Sequence, residues 1–466
     1  MATIGVCPIT PGTNLTYTFR ADEYGSSWYH AHYSAQYTSG LLGPMVIHGP
    51  STANYDIDIG PVLVTDWFHD SYEHIIQEVM AGGQFTPPGF LPQSGSNLIN
   101  GIGQYPCANV TNGASCTGGS NPTFQFTPGK SYRMRFVNTG ASAFYTVSID
   151  NHTMTVIAND YTPVQPYTTQ NITLGVGQRT DVIVTATGEA GESYWLRAWN
   201  SPFCGETLSP DTRAIILYDG ADPKAIPTTT GPPPPTSTLC ENDALSLTVP
   251  AYAIPASSNP SVTLTVTATF VDNSTGSLHW ELNGIAYEGN LNKPLLLTSI
   301  AKPGTVFEPE RNVYDMGDNA TVRMILYNTI LAPHPMHLHG HDFRVLATGF
   351  GTWDGSIVNA ANPQRRDVQM LAGGANASDP SIGSSYIVLE WDQDNPGVWP
   401  FHCHIAWHLA SGMNLMLLER PDDLASYKVP QTVLDTCTAW NTWEETHVVN
   451  VVDDGLRKRS KVERAQ

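Results

Sequence analysis

Short runs in which apolar and polar residues alternate recur along most of the chain. Alternation with a period of two predicts β-strands that bury one face. The earliest run is LTYTFR at residues 15–20, and GLLGPMVIHGP at residues 40–50 ends in a Gly-Pro turn. Similar runs continue from about residue 60 to 220, and SLTVP at residues 246–250 opens a series that extends to about residue 420. The pattern predicts an all-β protein made of sandwiches or barrels, with few helices after residue 420.

A proline-rich stretch, TTTGPPPPTST at residues 228–238, interrupts this pattern. Such a stretch is stiff and extended, so it predicts a linker between domains. The region before residue 56 is too short to close a sandwich, which needs about 100 residues. We therefore expect a remnant of a first domain, a second domain, the linker, a third domain and a basic tail, at residues 1–55, 56–225, 226–245, 246–456 and 457–466.

Charge, hydropathy and cysteine content indicate the compartment of the protein and exclude some classes of partner. The formal net charge of −20 repels phosphate backbones, which argues against nucleic acid as a partner. No apolar run is long enough to cross a bilayer. The first ten residues lack the basic and apolar parts of a signal peptide. Even so, paired cysteines and N-glycosylation sequons predict a secreted protein; the sequons are at Asn14, Asn109, Asn151, Asn171, Asn273, Asn319 and Asn376.

Histidines are concentrated in three short segments, His30-Ala31-His32, residues 334–341 (HPMHLHGH) and residues 402–408 (HCHIAWH). Successive side chains of a strand point to opposite faces, so Cys403 and its two histidine neighbours can serve two metal centres. One thiolate, two imidazoles and a weak axial methionine form a blue-copper electron-transfer site. Cys403, His408, a distant histidine and Met413 fit that set, and the histidine pairs fit an all-nitrogen copper cluster. Zinc also binds Cys and His, but it is redox-inactive and cannot pass electrons between two linked metal sites.

At these residues a family resemblance becomes specific. The segments WYHAHYSAQYTSGLLGPMVIHGP, HPMHLHGHDF and WPFHCHIAWHLASGMNLMLLER resemble the second, third and fourth copper signatures of multicopper oxidases, most closely those of ascomycete laccases. CPITPG, NHTMTVIA, LGVGQRTDV, RRDVQML and DNPGVW extend the likeness over essentially the whole chain. The resemblance implies three cupredoxin-like β domains and four copper ions. The type 1 copper would lie in the last domain, and a trinuclear cluster would lie between the first and the last.

The same resemblance assigns roles residue by residue. His334, Cys403 and His408 would bind type 1 copper, with Met413 as its axial ligand. Electrons would leave through Cys403 toward His402 and His404. His337 would bind type 2 copper, and the type 3 pair would be bound by His30, His32, His339, His402 and His404. His341 resembles the histidine of that motif that is not a ligand and supports the site from outside.

One signature of the family has no match in the sequence. His-Trp-His-Gly should precede CPITPG, and without it two of the eight trinuclear histidines are absent. Type 2 copper would keep only His337, and one type 3 copper only His30 and His404. We therefore expect an N-terminally incomplete sequence that reduces dioxygen poorly.

The resemblance also bears on cysteines and on the C-terminus. It implies disulfides Cys7–Cys437 and Cys204–Cys240, and proximity suggests Cys107–Cys116, although six cysteines allow fifteen pairings. Residues 453–456 (DDGL) resemble a site after which a short tail is removed. The alternative is a disordered basic tail.

The function that these features imply is one-electron oxidation of diphenols by a secreted monomeric enzyme, coupled to reduction of dioxygen to water. The physiological roles that fit such an activity are lignin breakdown, detoxification and pigment formation. Thr185 and Gln170 occupy positions where related enzymes place a proton-accepting carboxylate, so Asp160 is a candidate substitute. Two alternatives remain open: a metallo-oxidase such as a ferroxidase, with acidic residues near His334 and His408, and an inactive copper-binding fragment.

Overall fold

The structure is a computed structural model that describes residues 2–81, 91–110, 113–201, 204–233, 239–272, 278–374 and 383–447. The sequons at Asn273 and Asn376, the DDGL segment and the basic tail lie outside the described residues. Most regular structure in the described part is β-strand, arranged in five sheets, so the all-β prediction is confirmed.

We call the described residues within 2–55, 56–225 and 246–447 the first, second and third regions. The first region contributes a hairpin of two antiparallel strands, β1 (Gly25–His30) and β2 (Leu42–Ile47). The predicted strand at residues 15–20 is wrong, because that segment is exposed and has no ladder partner in the described part of the chain. A strand is stable only when a neighbour accepts its backbone hydrogen bonds. Residues 246–250 likewise form only one isolated bridge, Val164 to Pro250.

The second region is a sandwich of a seven-stranded and a five-stranded sheet. The seven-stranded sheet has the order β10-β9-β12-β7-β3-β4-β5, and the five-stranded sheet has the order β11-β8-β13-β14-β6. Apolar side chains of alternating positions fill the space between them, as in Val62, Val64, Phe136 and Val147. The strands are β3 (Ile57–Trp67), β4 (Ser96–Ile99), β5 (Ile102–Gly103), β6 (Thr123–Phe126), β7 (Ser131–Asn138), β8 (Tyr145–Ile149), β9 (Met154–Asn159), β10 (Thr162–Thr169), β11 (Ile172–Leu174), β12 (Arg179–Thr185), β13 (Ser193–Asn200) and β14 (Asp211–Tyr218).

The third region forms a six-stranded sheet, β16-β15-β18-β23-β20-β21, and a five-stranded sheet, β17-β25-β24-β19-β22. In the latter, β19 lies between β24 and β22, which places His337 opposite both His402 and Val368. The strands are β15 (Val262–Asp272), β16 (Leu278–Leu282), β17 (Val313–Gly317), β18 (Thr321–Asn328), β19 (His334–Leu338), β20 (Phe343–Phe350), β21 (Gln364–Arg366), β22 (Val368–Leu371), β23 (Ser385–Asp392), β24 (Gly397–Cys403) and β25 (Asn414–Glu419).

The α-helices of the described residues are short apart from the last one. They are α1 (Tyr72–Met80), α2 (Leu295–Ala301), α3 (Ala406–Ala410), α4 (Pro421–Leu424) and α5 (Gln431–Glu444). The expectation of few helices after residue 420 is therefore wrong. With only Thr436 and Trp440 buried, α5 has almost no apolar face from which to predict it. It is held by the Cys7–Cys437 disulfide and by Asn292, whose Oδ1 accepts from Trp440 Nε1 at 2.6 Å and whose Nδ2 donates to Glu444 Oε1 at 2.9 Å.

All three predicted disulfides are present, Cys7–Cys437, Cys107–Cys116 and Cys204–Cys240. Among the described residues Cys403 is the remaining cysteine; it is buried and has a free thiol. None of the described helices combines the length with the apolar character that a membrane crossing requires.

Candidate metal centre

Three side chains from the third region converge at its core. His334 begins β19, Cys403 ends β24, and His408 lies on α3 just beyond. The two Nδ1 atoms are 3.1 Å apart, and Cys403 Sγ lies 3.6 Å from His334 Nδ1 and 3.5 Å from His408 Nδ1. All three side chains are completely buried. We call these residues the thiolate set.

Burial disfavours charge on each member of the thiolate set. Desolvation lowers the pKa of His334 to about 3, and desolvation, followed by the proximity of His334, holds the pKa of His408 well below its usual value. Burial raises the pKa of the Cys403 thiol, against the opposing effect of the Ile405 backbone N–H. Neutral imidazoles are the metal-binding form, and a metal cation favours the thiolate by its charge. The Nε2 atoms of both histidines are buried without a hydrogen-bond partner among the described residues.

Met413 is held beside the thiolate set by the backbone. Its carbonyl accepts a 3.2 Å hydrogen bond from the N–H of Cys403, and its N–H donates to the carbonyl of His408 at 3.0 Å. The side chain is completely buried in the same core as Cys403 and Trp280. The axial role of Met413 remains a prediction that this position supports.

A second group of donors lies on the other face of β24. His32, His339 and His402 bring one ring nitrogen each to within 4.8 Å of one another, and Nε2 of His339 is 3.1 Å from Nε2 of His402. The neighbours His402 and Cys403 thus belong to different donor groups, as strand alternation predicts. Nε2 of His32 is buried without a hydrogen-bond partner in the described part of the chain.

Three more histidines surround this group. The ring centroids of His30 and His404 are 5.4 Å apart, and His337 lies 4.6 Å from His339 and 5.5 Å from His404. The structure therefore brings together all six histidines that the sequence assigns to the trinuclear site. We call them the six-histidine cluster: His30, His32, His337, His339, His402 and His404.

Backbone carbonyls fix the ring orientation of half of the cluster. The Nδ1–H groups of His30, His337 and His402 donate to the carbonyls of Ala31, Asp367 and Cys403, at 2.9, 2.7 and 2.8 Å. Because a carbonyl can only accept, each ring carries its proton on Nδ1 and leaves Nε2 free to bind a metal. Desolvation, the largest cause, lowers the pKa of His30 and His337 to about 4 and that of His402 to about 3.

The two donor groups differ in access. A cavity of about 1280 Å³ is lined by His30, His337, His339 and His404 from the six-histidine cluster, and by Arg179 and Asp367 near them. No member of the thiolate set lines it. The cluster is therefore open to molecules from solvent, whereas the thiolate set is enclosed by its own core.

His341 lies outside both donor groups. Its Nε2 is 2.6 Å from Glu419 Oε2 and its Nδ1 is 3.7 Å from Asp394 Oδ1. Engagement with carboxylates, instead of with the other histidines, supports the predicted role as a non-ligand.

Asp160 is not a proton acceptor in a substrate pocket, so the prediction that it substitutes for the missing carboxylate is wrong. Its side chain is fully buried and bonds to Arg366 and to the backbone of Arg179. Burial alone would raise its pKa, but Arg366 and Arg179 outweigh that effect and lower it to about 2. Thr185 and Gln170 are both exposed.

Two side chains that support the donor groups cannot be identified from the residue types that bind metals. Trp280 packs its ring 4.2 Å from that of His408 and 4.8 Å from that of His334. Arg179, in the segment GVGQRTDV, holds Asp367 at the edge of the six-histidine cluster. The sequence carries a signal for Arg179 alone, whose segment resembles the family without a role attached; Trp280 lies outside the segments that carry the resemblance.

The donor sets fit copper. A thiolate and two imidazoles in van der Waals contact can close around one small ion, as in blue-copper sites. Six imidazoles gathered in one place, three of them with Nδ1 bonded to a backbone carbonyl, suit the all-nitrogen copper cluster that the resemblance implies. Zinc could occupy the thiolate set alone, but a redox metal explains why the two sets share adjacent residues of one strand.

Comparison with known proteins agrees with this chemistry. Three family models, each described as multicopper oxidase, match residues 1–52, 58–221 and 286–423. Laccase-1 of Botryotinia fuckeliana is 37% identical over 459 residues, which cover 97% of this chain and 75% of that protein. The crystal structure of the laccase from Botrytis aclada matches 98% of this chain and 81% of that chain, with 32% identity and a TM-score of 0.87. Fet3p, described as a multicopper oxidase that functions in iron import, shares the fold over 94% of this chain and 81% of its own, at 22% identity and a TM-score of 0.78.

Proposed function

This chain belongs to the multicopper oxidase family, and from that premise we propose which of its residues hold copper and what they oxidise. It is a laccase-type, copper-dependent oxidase. The observation that carries the assignment is the division of β24 between two donor groups, Cys403 in the thiolate set and His402 in the six-histidine cluster.

We assign type 1 copper to the thiolate set, with Met413 as axial ligand. His337 is assigned to type 2 copper. For the type 3 pair, the trio His32, His339 and His402 serves one ion, and His30 with His404 serves the other. When bound, copper supplies one-electron oxidation at the first set and dioxygen reduction at the second.

The chain itself supplies the link between the two sets. Peptide bonds on either side of Cys403 join it to His402 and His404, so the donor groups are connected by a few covalent bonds. The buried core around Cys403 excludes water, and a dry site of fixed geometry favours fast electron transfer because little reorganises. The cavity beside His30, His337 and His404 gives a small molecule such as dioxygen access to the second set.

We propose electron-rich aromatics, diphenols above all, as the substrates. The similarity to laccases supports this class. A ferroxidase would require carboxylates close to the thiolate set, to bind ferrous iron. The lowered pKa of His334 arises from burial, and that of His408 arises from burial and from the proximity of His334, without a carboxylate contribution in the described structure. Iron oxidation is therefore not favoured.

Secretion and a monomeric state are also proposed. Three disulfides suit an oxidising compartment, and the sequons suit a glycoprotein. The domain boundaries proposed from sequence, at residues 55, 225 and 245, each fall between the sheets of successive regions. This agreement supports them, and limited proteolysis at the linker can test them.

Copper loading tests the proposed sites. The loaded protein should develop an intense visible band from the Cys403 thiolate, and Cys403→Ser should abolish it. His341→Gln, which changes a histidine outside both groups, is the matched control and should keep the band. A colourless cupric protein, or a band that survives in Cys403→Ser, would refute the assignment.

A further inference from the structure

We propose that Arg179, which belongs to the second region and binds no metal itself, is a positioning residue for copper-binding histidines on three separate segments. The inference rests on the proposed copper function of the six-histidine cluster. The second region contributes none of the histidines in that cluster. Its VGQR turn nevertheless reaches the cluster and contacts the supports of His30, His337 and His404.

Arg179 is buried and uses its whole guanidinium group. Nη1 and Nη2 donate to Oδ1 and Oδ2 of Asp367 at 2.5 and 2.7 Å. Nε donates to the carbonyl of Ser26 at 2.9 Å, and Nη1 also donates to the carbonyl of Gly177 at 3.2 Å. The side chain thus joins the first region, the second and the third at one point.

The bond to Asp367 acts on His337. The carbonyl of the same Asp367 accepts the Nδ1–H of His337 at 2.7 Å and the backbone N–H of Leu338 at 3.2 Å. By clamping the Asp367 side chain, Arg179 fixes the residue whose carbonyl sets the tautomer and direction of His337. Partners of this kind orient metal-binding imidazoles and raise metal affinity.

The other two bonds act on His30 and His404. Ser26 lies on β1, the strand that ends at His30, so the bond to its carbonyl fixes that strand against the second region. Gly177 lies directly against His404, since a methyl group there would be 2.5 Å from Cδ2 of the imidazole. Its φ of +84° also favours glycine. The bond from Arg179 to the Gly177 carbonyl holds this turn in place.

These three histidines are the ones outside the compact group of His32, His339 and His402. The compact group brings one ring nitrogen of each member to within 4.8 Å of the others. His30, His337 and His404 each have a support that leads back to Arg179.

An arginine is needed because the contacts form a planar fork. Two parallel bonds to one carboxylate and a third bond to a carbonyl match a guanidinium, whereas a lysine ammonium cannot make them together. Asp160 completes the arrangement by accepting from Arg366 at 2.9 Å and from the backbone N–H of Arg179 at 2.8 Å. Two arginines and two aspartates therefore meet in the buried interface.

Histidine NMR on the metal-free protein tests the inference independently of copper. In Arg179→Lys, which keeps the charge but loses the fork, the side-chain nitrogen signals of His30, His337 and His404 should shift, and His337 should lose its single Nδ1–H form. Signals of His334 and His408 should stay in place. Gly177→Ala should shift His404 chiefly.

The matched control is Arg197→Lys in the same region. Arg197 makes a similar fork on Asp150, at 2.8 and 2.9 Å, and also bonds to the Thr229 carbonyl. This variant should move none of the cluster signals. Copper titration should then show affinity at the six-histidine cluster reduced roughly 10–100-fold in Arg179→Lys, with the visible band of the thiolate set unchanged.

Unchanged cluster signals in Arg179→Lys, or shifts equal to those in Arg197→Lys, would overturn the inference. So would equal shifts at His334 and His408, because they would indicate general loosening. If Arg179→Lys does not fold, Gly177→Ala decides, and an unmoved His404 refutes the proposal. If the expected shifts appear but the wild-type cluster takes up no copper, the positioning role stands and the proposed function fails.

Discussion

The thiolate set and the six-histidine cluster share the strand β24 but are built in different ways. All donors of the thiolate set come from one sandwich, and they lie completely buried in its core. The cluster combines His30 and His32 from the first region with four histidines of the third, beside an open cavity and against a turn of the second. A site made within one core depends on local packing, whereas a site made between regions depends on every contact that holds the regions together.

The largest expected contrast is in function. Under the proposed assignment, the six-histidine cluster offers three nitrogens to one type 3 copper, two at His30 and His404 to the other, and one at His337 to type 2 copper. We predict a full blue band on copper loading together with little or no oxygen uptake with a diphenol. An oxygen electrode and a visible spectrum of the same sample measure both. A protein extended at its N-terminus by a His-Trp-His-Gly segment should gain uptake without a change in the band.

Turnover by the chain alone at the rate of the extended protein would contradict this contrast. It would mean that residues other than the six histidines complete the cluster. Azide, which binds to an accessible trinuclear copper site, offers a second check because it should perturb the spectrum of the extended protein alone.

Trp280 tests how far the thiolate set depends on its core. Truncation of a buried tryptophan costs about 3–5 kcal/mol in the free energy of unfolding. Trp280→Ala should show that loss and also alter the visible band, because both imidazoles lose the ring against which they pack. Thermal unfolding and the visible spectrum are the measurements.

A buried tryptophan of the second region is the control for Trp280. Trp195 packs with Ile215 and Leu217, away from the histidines. Trp195→Ala should destabilise the protein and leave the visible band intact. If both variants change the band alike, the thiolate set is not as self-contained as its burial indicates.

Strand alternation predicted both donor groups because it depends on the backbone alone. Cys403 and His402 had to face opposite sides of β24 in any fold that pairs this strand. The alternation of residues 15–20 is as regular, yet they form no strand, because pairing depends on a partner that sequence pattern does not specify. The helix α5 was missed for the converse reason: a disulfide and hydrogen bonds to the side chain of Asn292 hold it, and such contacts leave no periodic signal in the sequence.

Arg179, Asp160 and Asp367 show a different limit. Their residue types indicate only charge, and Asp160 was taken for a proton acceptor on that ground. What determines its chemistry is the burial of two arginines beside it, which a sequence does not reveal. Asp160, the charged residue to which the sequence assigned a catalytic role, was assigned wrongly, because only its residue type and its position in the chain supported that role.

The disulfide Cys7–Cys437 should matter for the cluster more than for the thiolate set. It ties the first region, with His30 and His32, to α5 of the third region. Replacing both cysteines by serine should cost about 2–4 kcal/mol of stability and weaken copper binding at the cluster. Unfolding curves and copper titration check this.

The Cys107–Cys116 disulfide provides the comparison, because it closes a loop with a sequence separation of 9 instead of 430. A double serine variant there should cost less, since short loops lose less entropy on closure. It should leave both copper sites intact. Equal effects of the two double variants on the cluster would refute the proposed link.

The smallest expected change concerns Met413 and tunes the thiolate set without breaking it. A thioether bound along the axis stabilises cupric copper, so leucine, which cannot coordinate, should raise the type 1 potential. A shift on the order of 0.1 V corresponds to roughly 2.3 kcal/mol for one electron. The exchange of Met413 for leucine conserves volume, so the cost in the free energy of unfolding should stay below about 1.5 kcal/mol and not mask the shift in potential.

Met416→Leu is the control, because Met416 is also completely buried but lies in a separate core cluster with Leu424. Redox titration of the blue band should separate the two variants. Equal potentials would show that Met413 only fills space beside Cys403, and the thiolate set would then be a three-coordinate site whose potential depends on burial alone.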